Sequence, residues 1–156
     1  MKRQFSMLVV FAMVLAAGSV ALAQSNPFVG TWKLNVAASK FEPGPAPQSQ
    51  TRTWDASGTI TVAGVSQTGK SMGYSYTLIF DGKEHPSGGT VPNGSDMVSS
   101  KKVSSHLVTA KFTKAGKVVE STTFTVSKDG KTLSIVAKGV LPDGKILNND
   151  TKWDKE

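Results

Sequence analysis

The chain has 156 residues, no cysteine, two histidines (His85 and His106) and a formal net charge of +7. Zero cysteine excludes disulfides, and two histidines without a thiolate argue against a zinc site; no metal and no other cofactor is expected. The positive excess is almost all lysine, with acidic residues interspersed. That pattern reads as a solvated surface, unlike the arginine and aromatic clusters of a nucleic-acid binder, so no nucleic-acid partner is expected.

Lys2 and Arg3 precede an apolar run from Met7 to Ala23 that ends in Ala21-Leu22-Ala23, just before Gln24. A basic start, an apolar middle and a small-residue end make residues 1–23 a secretory signal peptide. The run is broken by Gly18 and Ser19 and is short for a membrane span, and no Cys follows it to carry a lipid. The expectation is an exported protein, periplasmic or extracellular, with no membrane span after cleavage. Removing 23 of 156 residues leaves 133, residues 24–156, enough for one domain that hides about two-thirds of its unfolded surface. Sixteen basic residues then face eleven acidic ones, a charge of +5, and Arg52 is the one arginine left.

The expected mature chain opens on Val29-Gly30-Thr31-Trp32-Lys33-Leu34-Asn35-Val36, where alternation puts Trp32, Leu34 and Val36 on one face. From Ala37 to Gln48 prolines recur at 43, 45 and 47, which excludes helix and central strand; the segment reads as an extended surface strap, with Phe41 needing burial. Gln50 to Asp55 and Thr59 to Ser66 form a hairpin through Ala56-Ser57-Gly58. Met72 to Phe80 alternates cleanly, with Met72, Tyr74, Tyr76, Leu78 and Phe80 inward. Asp81-Gly82-Lys83 reads as a turn, Ser87 to Asp96 as a long loop, and Met97 to Val103 as an ambiguous strand, either an edge or a solvent-rich segment.

The second half is a β-meander. Strands are expected over His106 to Thr113, Val118 to Ser127, Thr132 to Lys138 and Ile146 to Asp154, parted by turns at Gly116, Gly130 and Gly144. With no amphipathic helix, the chain reads as all-β, a single antiparallel up-and-down barrel of about eight to ten strands in which closure removes exposed edges.

Several inward positions are small or polar: Gly64, Ala110, Ala137, Thr122, Asn149 and Thr151, with Glu120 in phase beside Val118 and Thr122. A packed small β core favours Leu, Ile and Phe at such sites, whereas small and polar residues leave a cavity with polar anchors. Two readings of Glu120 stay open, interior or barrel rim. Tyr74 and Tyr76 either wall a cavity with their hydroxyls inside or plug a barrel end.

The start Gly30-Thr31-Trp32 resembles the Gly-x-Trp opening of the lipocalins and wider calycins. A broader similarity is to bacterial exported lipocalin-like proteins of uncharacterised function. It rests on Gly30-Thr31-Trp32-Lys33-Leu34-Asn35, Ser39-Lys40-Phe41, Pro43-Gly44-Pro45-Ala46-Pro47, Tyr76, Asp81-Gly82-Lys83, Gly116-Lys117-Val118-Val119 and Ser127 to Leu133. The resemblance implies a barrel that holds a small, mostly apolar molecule. The chain departs from the lipocalins in lacking a late arginine to stack on the Gly-x-Trp tryptophan, for which Lys152 or Lys155 is an imperfect replacement, and in ending just after Trp153.

The expected function is therefore a lipocalin-like barrel for a small hydrophobic or amphipathic ligand, with cavity residues Tyr74, Tyr76, Phe112, Glu120, Phe124 and Trp153, and with Trp32 closing one end. The alternative is a non-catalytic envelope interaction module with a filled core and a basic surface. No local motif supplies a nucleophile with its base or a carboxylate pair, so no catalytic residue is expected.

Overall fold

Ten strands are joined almost entirely by short turns. The computed structural model describes residues 26–88 and 91–156; the expected signal peptide, residues 1–23, lies outside the described residues. The strands are β1 (Gly30–Lys40), β2 (Ser49–Trp54), β3 (Thr59–Val65), β4 (Ser71–Thr77), β5 (Asp81–Pro86), β6 (Met97–Ser104), β7 (Leu107–Lys114), β8 (Lys117–Val126), β9 (Thr132–Val140) and β10 (Ile146–Lys155). One 3-10 turn, Pro92–Gly94, is the helical element among the described residues. The protein is all-β, as the alternation implies.

One sheet holds all ten strands in the order β4-β3-β2-β1-β10-β9-β8-β7-β6-β5. Every ladder is antiparallel, and the first strand pairs with the last through Leu34 opposite Trp153. The sheet curls until inward side chains of β2 and β8 meet, Trp54 lying 5.3 Å from Phe124 edge to face. The expected full closure needs one correction: β4 and β5 are the two ends of the order and share no ladder. The chain between them instead pins itself across the seam, Leu78 N donating to Gly58 O and Phe80 N to Ser100 Oγ.

Four strand readings change, the first being the strap expected from Ala37: β1 runs on through Lys40 between β2 and β10, because the prolines that exclude strand begin only at Pro43. The strand expected over Met72 to Phe80 stops at Thr77 and the chain turns at Phe80, whose φ is 65°, although Leu78 and Phe80 keep the expected inward side and Ile79 the outward one. The expected turn at Asp81 is the start of β5, whose residues are nearly all exposed and so carry no apolar period. β6 is not an edge, since it lies between β5 and β7. Its Val98 and Ser100 are buried.

The core fills one end of the barrel. Trp32 is fully buried, and its Nε1 donates to Phe28 O at 2.9 Å. Phe28 packs on Trp54 at 4.8 Å, and Trp54 stacks on Phe80 at 6.4 Å. Over the Trp32 ring sits Lys155 Nζ, 4.9 Å from its centre. Lys155 thus supplies a cation to the face of the Trp32 ring. Gly30 makes this possible: a Cβ there would press on Lys155 Cε at 2.8 Å, and its φ of 139° suits few other residues.

Trp54 carries a second, opposite feature, an Nε1 buried without a hydrogen-bond partner. An orphaned donor costs about 1 to 3 kcal/mol, so Trp54→Phe loses packing but also sheds that cost. The expected loss in urea unfolding is under about 2 kcal/mol, well below that of an ordinary buried tryptophan truncation; a loss of 3 kcal/mol or more would mean that the indole N–H is satisfied.

Candidate ligand-binding cavity

Away from the tryptophan base the interior is hollow. A cavity of about 260 Å3 is walled by Phe41, Gln50, Arg52, Met72, Tyr74, Tyr76, Asn93, Glu120, Thr122, Phe124, Ile135, Ala137, Leu141, Leu147, Asn149, Thr151 and Trp153. Phe41 and Leu141 come from the connections at the end of the barrel opposite Trp32 and Trp54, so the cavity faces that end. The wall is mixed, apolar surface with convergent polar groups, the composition of small-molecule sites.

Of the six residues expected at the cavity, the structure brings five to its wall: Tyr74, Tyr76, Glu120, Phe124 and Trp153. Phe112 is not among them. It is buried behind Tyr76, its ring meeting that of Tyr76 edge on at 5.2 Å, so it backs the wall instead of forming it. The tyrosines are wall, not plug, and stack on each other at 6.2 Å.

Glu120 is interior, 6% exposed, in the phase it shares with Thr122 and Phe124, and a bulge lies just before it. Phe112 pairs with Glu120 but Thr113 pairs with Val118, so Val119 is an extra residue in β8. The extra residue reverses the phase only before it: Val118, expected inward, is 57% exposed, while Glu120 keeps the inward phase of Thr122 and Phe124. Glu120 accepts from Asn93 Nδ2 at 2.6 Å and from Thr122 Oγ1 at 2.7 Å. Burial pushes its carboxyl above the ordinary glutamate value, against the opposing pull of the Thr122 hydroxyl and of Arg52.

The small residues also sort differently from expectation. Ala137 lines the cavity, but Ala110 is buried in the packed core. Gly64 leaves no ligand space at all: a Cβ there would strike the Ser49 carbonyl oxygen and crowd Gln50, so it is a close-approach glycine where β2 and β3 meet. The strap folds as a wall element. Glu42 N donates to Asn149 Oδ1 at 2.9 Å, and Asn148 N to Glu42 O at 2.8 Å, which sets Phe41 against the cavity.

The residue that sequence reasoning missed is Arg52. Its signal was present: in β2 it shares a face with Trp54, and a strand that buries one buries the other. Arg52 is 5% exposed. Its Nη1 donates to Tyr76 Oη at 2.9 Å and its Nη2 to Tyr74 Oη at 3.3 Å. The guanidinium carbon lies 4.9 Å from the Trp153 ring centre and 6.0 Å from that of Phe124. Burial pushes the Tyr76 phenol up to about 12, so that acceptor is a neutral hydroxyl at ordinary pH.

The buried carboxyl makes a pH prediction whose sign follows from linkage. Because the folded form binds its proton more tightly than the unfolded chain, Glu120 favours folding at low pH, and that contribution is lost as pH rises through the raised folded value. Urea midpoints of the wild type minus those of Glu120→Gln should therefore fall between the ordinary glutamate range and neutral pH. A difference that rises over this window would place a stabilising cation on Glu120.

No protein-family model matches the chain, and no curated protein matches it in sequence. Among solved structures it is similar to the crystal structure of zebrafish ileal bile acid-binding protein complexed with cholic acid, at 11% identity and a TM-score of 0.49. The match covers 83% of this chain and 99% of that one.

Proposed function

We propose that this protein binds a small amphipathic molecule inside its barrel, as a carrier or sensor without catalysis. The observation that carries the reading is the one-ended cavity of about 260 Å3, with a solid aromatic base below and both apolar walls and buried polar groups around it. A cavity of that make-up is a stable host for a ligand with an apolar body, because burial of apolar surface yields roughly 25 cal/mol per Å2. We further read the protein as exported through residues 1–23, so that the ligand is met outside the cytoplasm. N-phenylnaphthylamine, which brightens in apolar surroundings, should bind saturably and be displaced by extracts of the native compartment. Native mass spectrometry of protein from that compartment should show a chain beginning at Gln24 and a co-purifying small mass. Absence of both dye binding and a bound mass would defeat the carrier reading.

The lysine excess enters as surface chemistry. Lys145 and Lys152 pair with Asp143 and Asp150 within their own hairpin or strand, which leaves charge dispersed over the outside. Binding to heparin should be weak at low salt and vanish by physiological ionic strength, where the Debye length is about 8 Å. Tight retention at that salt would instead favour the basic interaction module.

A further inference from the structure

We propose that Arg52 is the recognition point for a singly charged anionic head group, so that the molecule this cavity takes is a small carboxylic acid with an apolar tail. The proposal rests on the cavity-binding function above and names its ligand class.

Arg52 is a cation held almost entirely out of water, with no carboxylate in direct contact among the described residues. No ion pair among the described residues includes it. A guanidinium offers five N–H donors in a fixed fork. Two of its bonds go to the hydroxyls of Tyr76 and Tyr74, and Nε has no partner. Burying a charge under such terms is unfavourable unless a further acceptor of opposite sign completes it. The carboxylate that shares the wall does not serve: Glu120 directs its oxygens to Asn93 and Thr122. Carboxylates match the guanidinium fork in two parallel bonds, which is the geometry that satisfies donors left over after the tyrosines.

The same wall limits the ligand's charge and sets its direction. Among the described residues Arg52 is the one basic residue lining the cavity, and Glu120 lies on the same lining, so a dianion such as a phosphate monoester would meet one cation and one carboxylate. A monoanion matches. Trp153, 4.9 Å from the guanidinium carbon, holds the cation in plane as a preorganised receptor. Arg52 pairs with Trp32 across the β1–β2 ladder and is therefore deep, whereas Phe41 and Leu141 are at the open end. The acid enters head first and leaves its tail among Phe41, Leu141 and Leu147.

Calorimetric titration with decanoate and decanamide, equal in chain and different in charge, tests the assignment. The wild type should bind decanoate at least tenfold tighter than decanamide, the gain of a charge-assisted over a neutral hydrogen bond. Arg52→Gln should bring the two within about threefold by weakening decanoate alone. Equal binding of both by the wild type, or a preference that survives in Arg52→Gln, would overturn the head-group assignment and leave the carrier function standing. Binding of neither, together with no dye binding, would overturn both. The wild-type comparison decides the matter even where Arg52→Gln does not fold.

Discussion

Trp32→Ala is expected to lower the unfolding free energy by about 3 to 5 kcal/mol, the loss typical of a large aromatic truncated in a core that cannot collapse around the gap. The indole is fully buried at the barrel base, and two separate supports depend on it. Its Nε1 satisfies the Phe28 carbonyl, so the N-terminal approach to β1 loses its tether. Its ring carries the Lys155 ammonium, so the end of β10 loses its partner. Its strand position pairs with both Arg52 and Lys155, at the seam where the first and last strands join. Removing it therefore opens a void and loosens the ladder through which the two ends of the chain meet. Urea denaturation with an unchanged m value is the measurement. A loss below about 1 kcal/mol would show a surface residue and would break the link between the Gly-x-Trp opening and closure of the base.

How far the sequence revealed this depended on whether period two was left undisturbed. In β9 and the inner half of β8 alternation is regular, and Phe124, Val126, Leu133 and Ile135 are buried as their spacing implies. One extra residue, Val119, was enough to put Val118 on the wrong face, and a bulge has no composition of its own to announce it. β5 could not be seen, because a strand exposed on both faces has no apolar period to read. At the cavity the aromatic wall was legible from strand phase, since a Tyr at every second position has one face to share. Arg52 was in the same phase, but a charged residue is presumed outside unless its partners are known, and those partners, Tyr74 and Tyr76, lie two strands away on β4. Gly64 and Ala137 looked alike as small inward residues. The difference between strand contact and open space is a tertiary fact.

Two alanines of equal appearance in the sequence are expected to respond with opposite sign. Ala137 on β9 faces the cavity beside Thr122 and Asn149, its ladder partners, so a leucine there extends into empty space. Ala137→Leu should leave the urea midpoint unchanged or raised, since the added carbons gain contacts without displacing any, and should weaken N-phenylnaphthylamine at least tenfold by occupying the ligand's volume. Ala110 on β7 is 2% exposed within the buried cluster and lies off the cavity wall. Ala110→Leu should overpack that region and cost about 1 to 3 kcal/mol. It should leave dye affinity within about threefold wherever the protein remains folded, because Ala110 is not on the wall. The pair separates a hollow barrel from a solid one without knowledge of the ligand. If Ala137→Leu destabilises as much as Ala110→Leu does, the space beside Ala137 is already filled by its neighbours, and the carrier function loses the observation on which it stands.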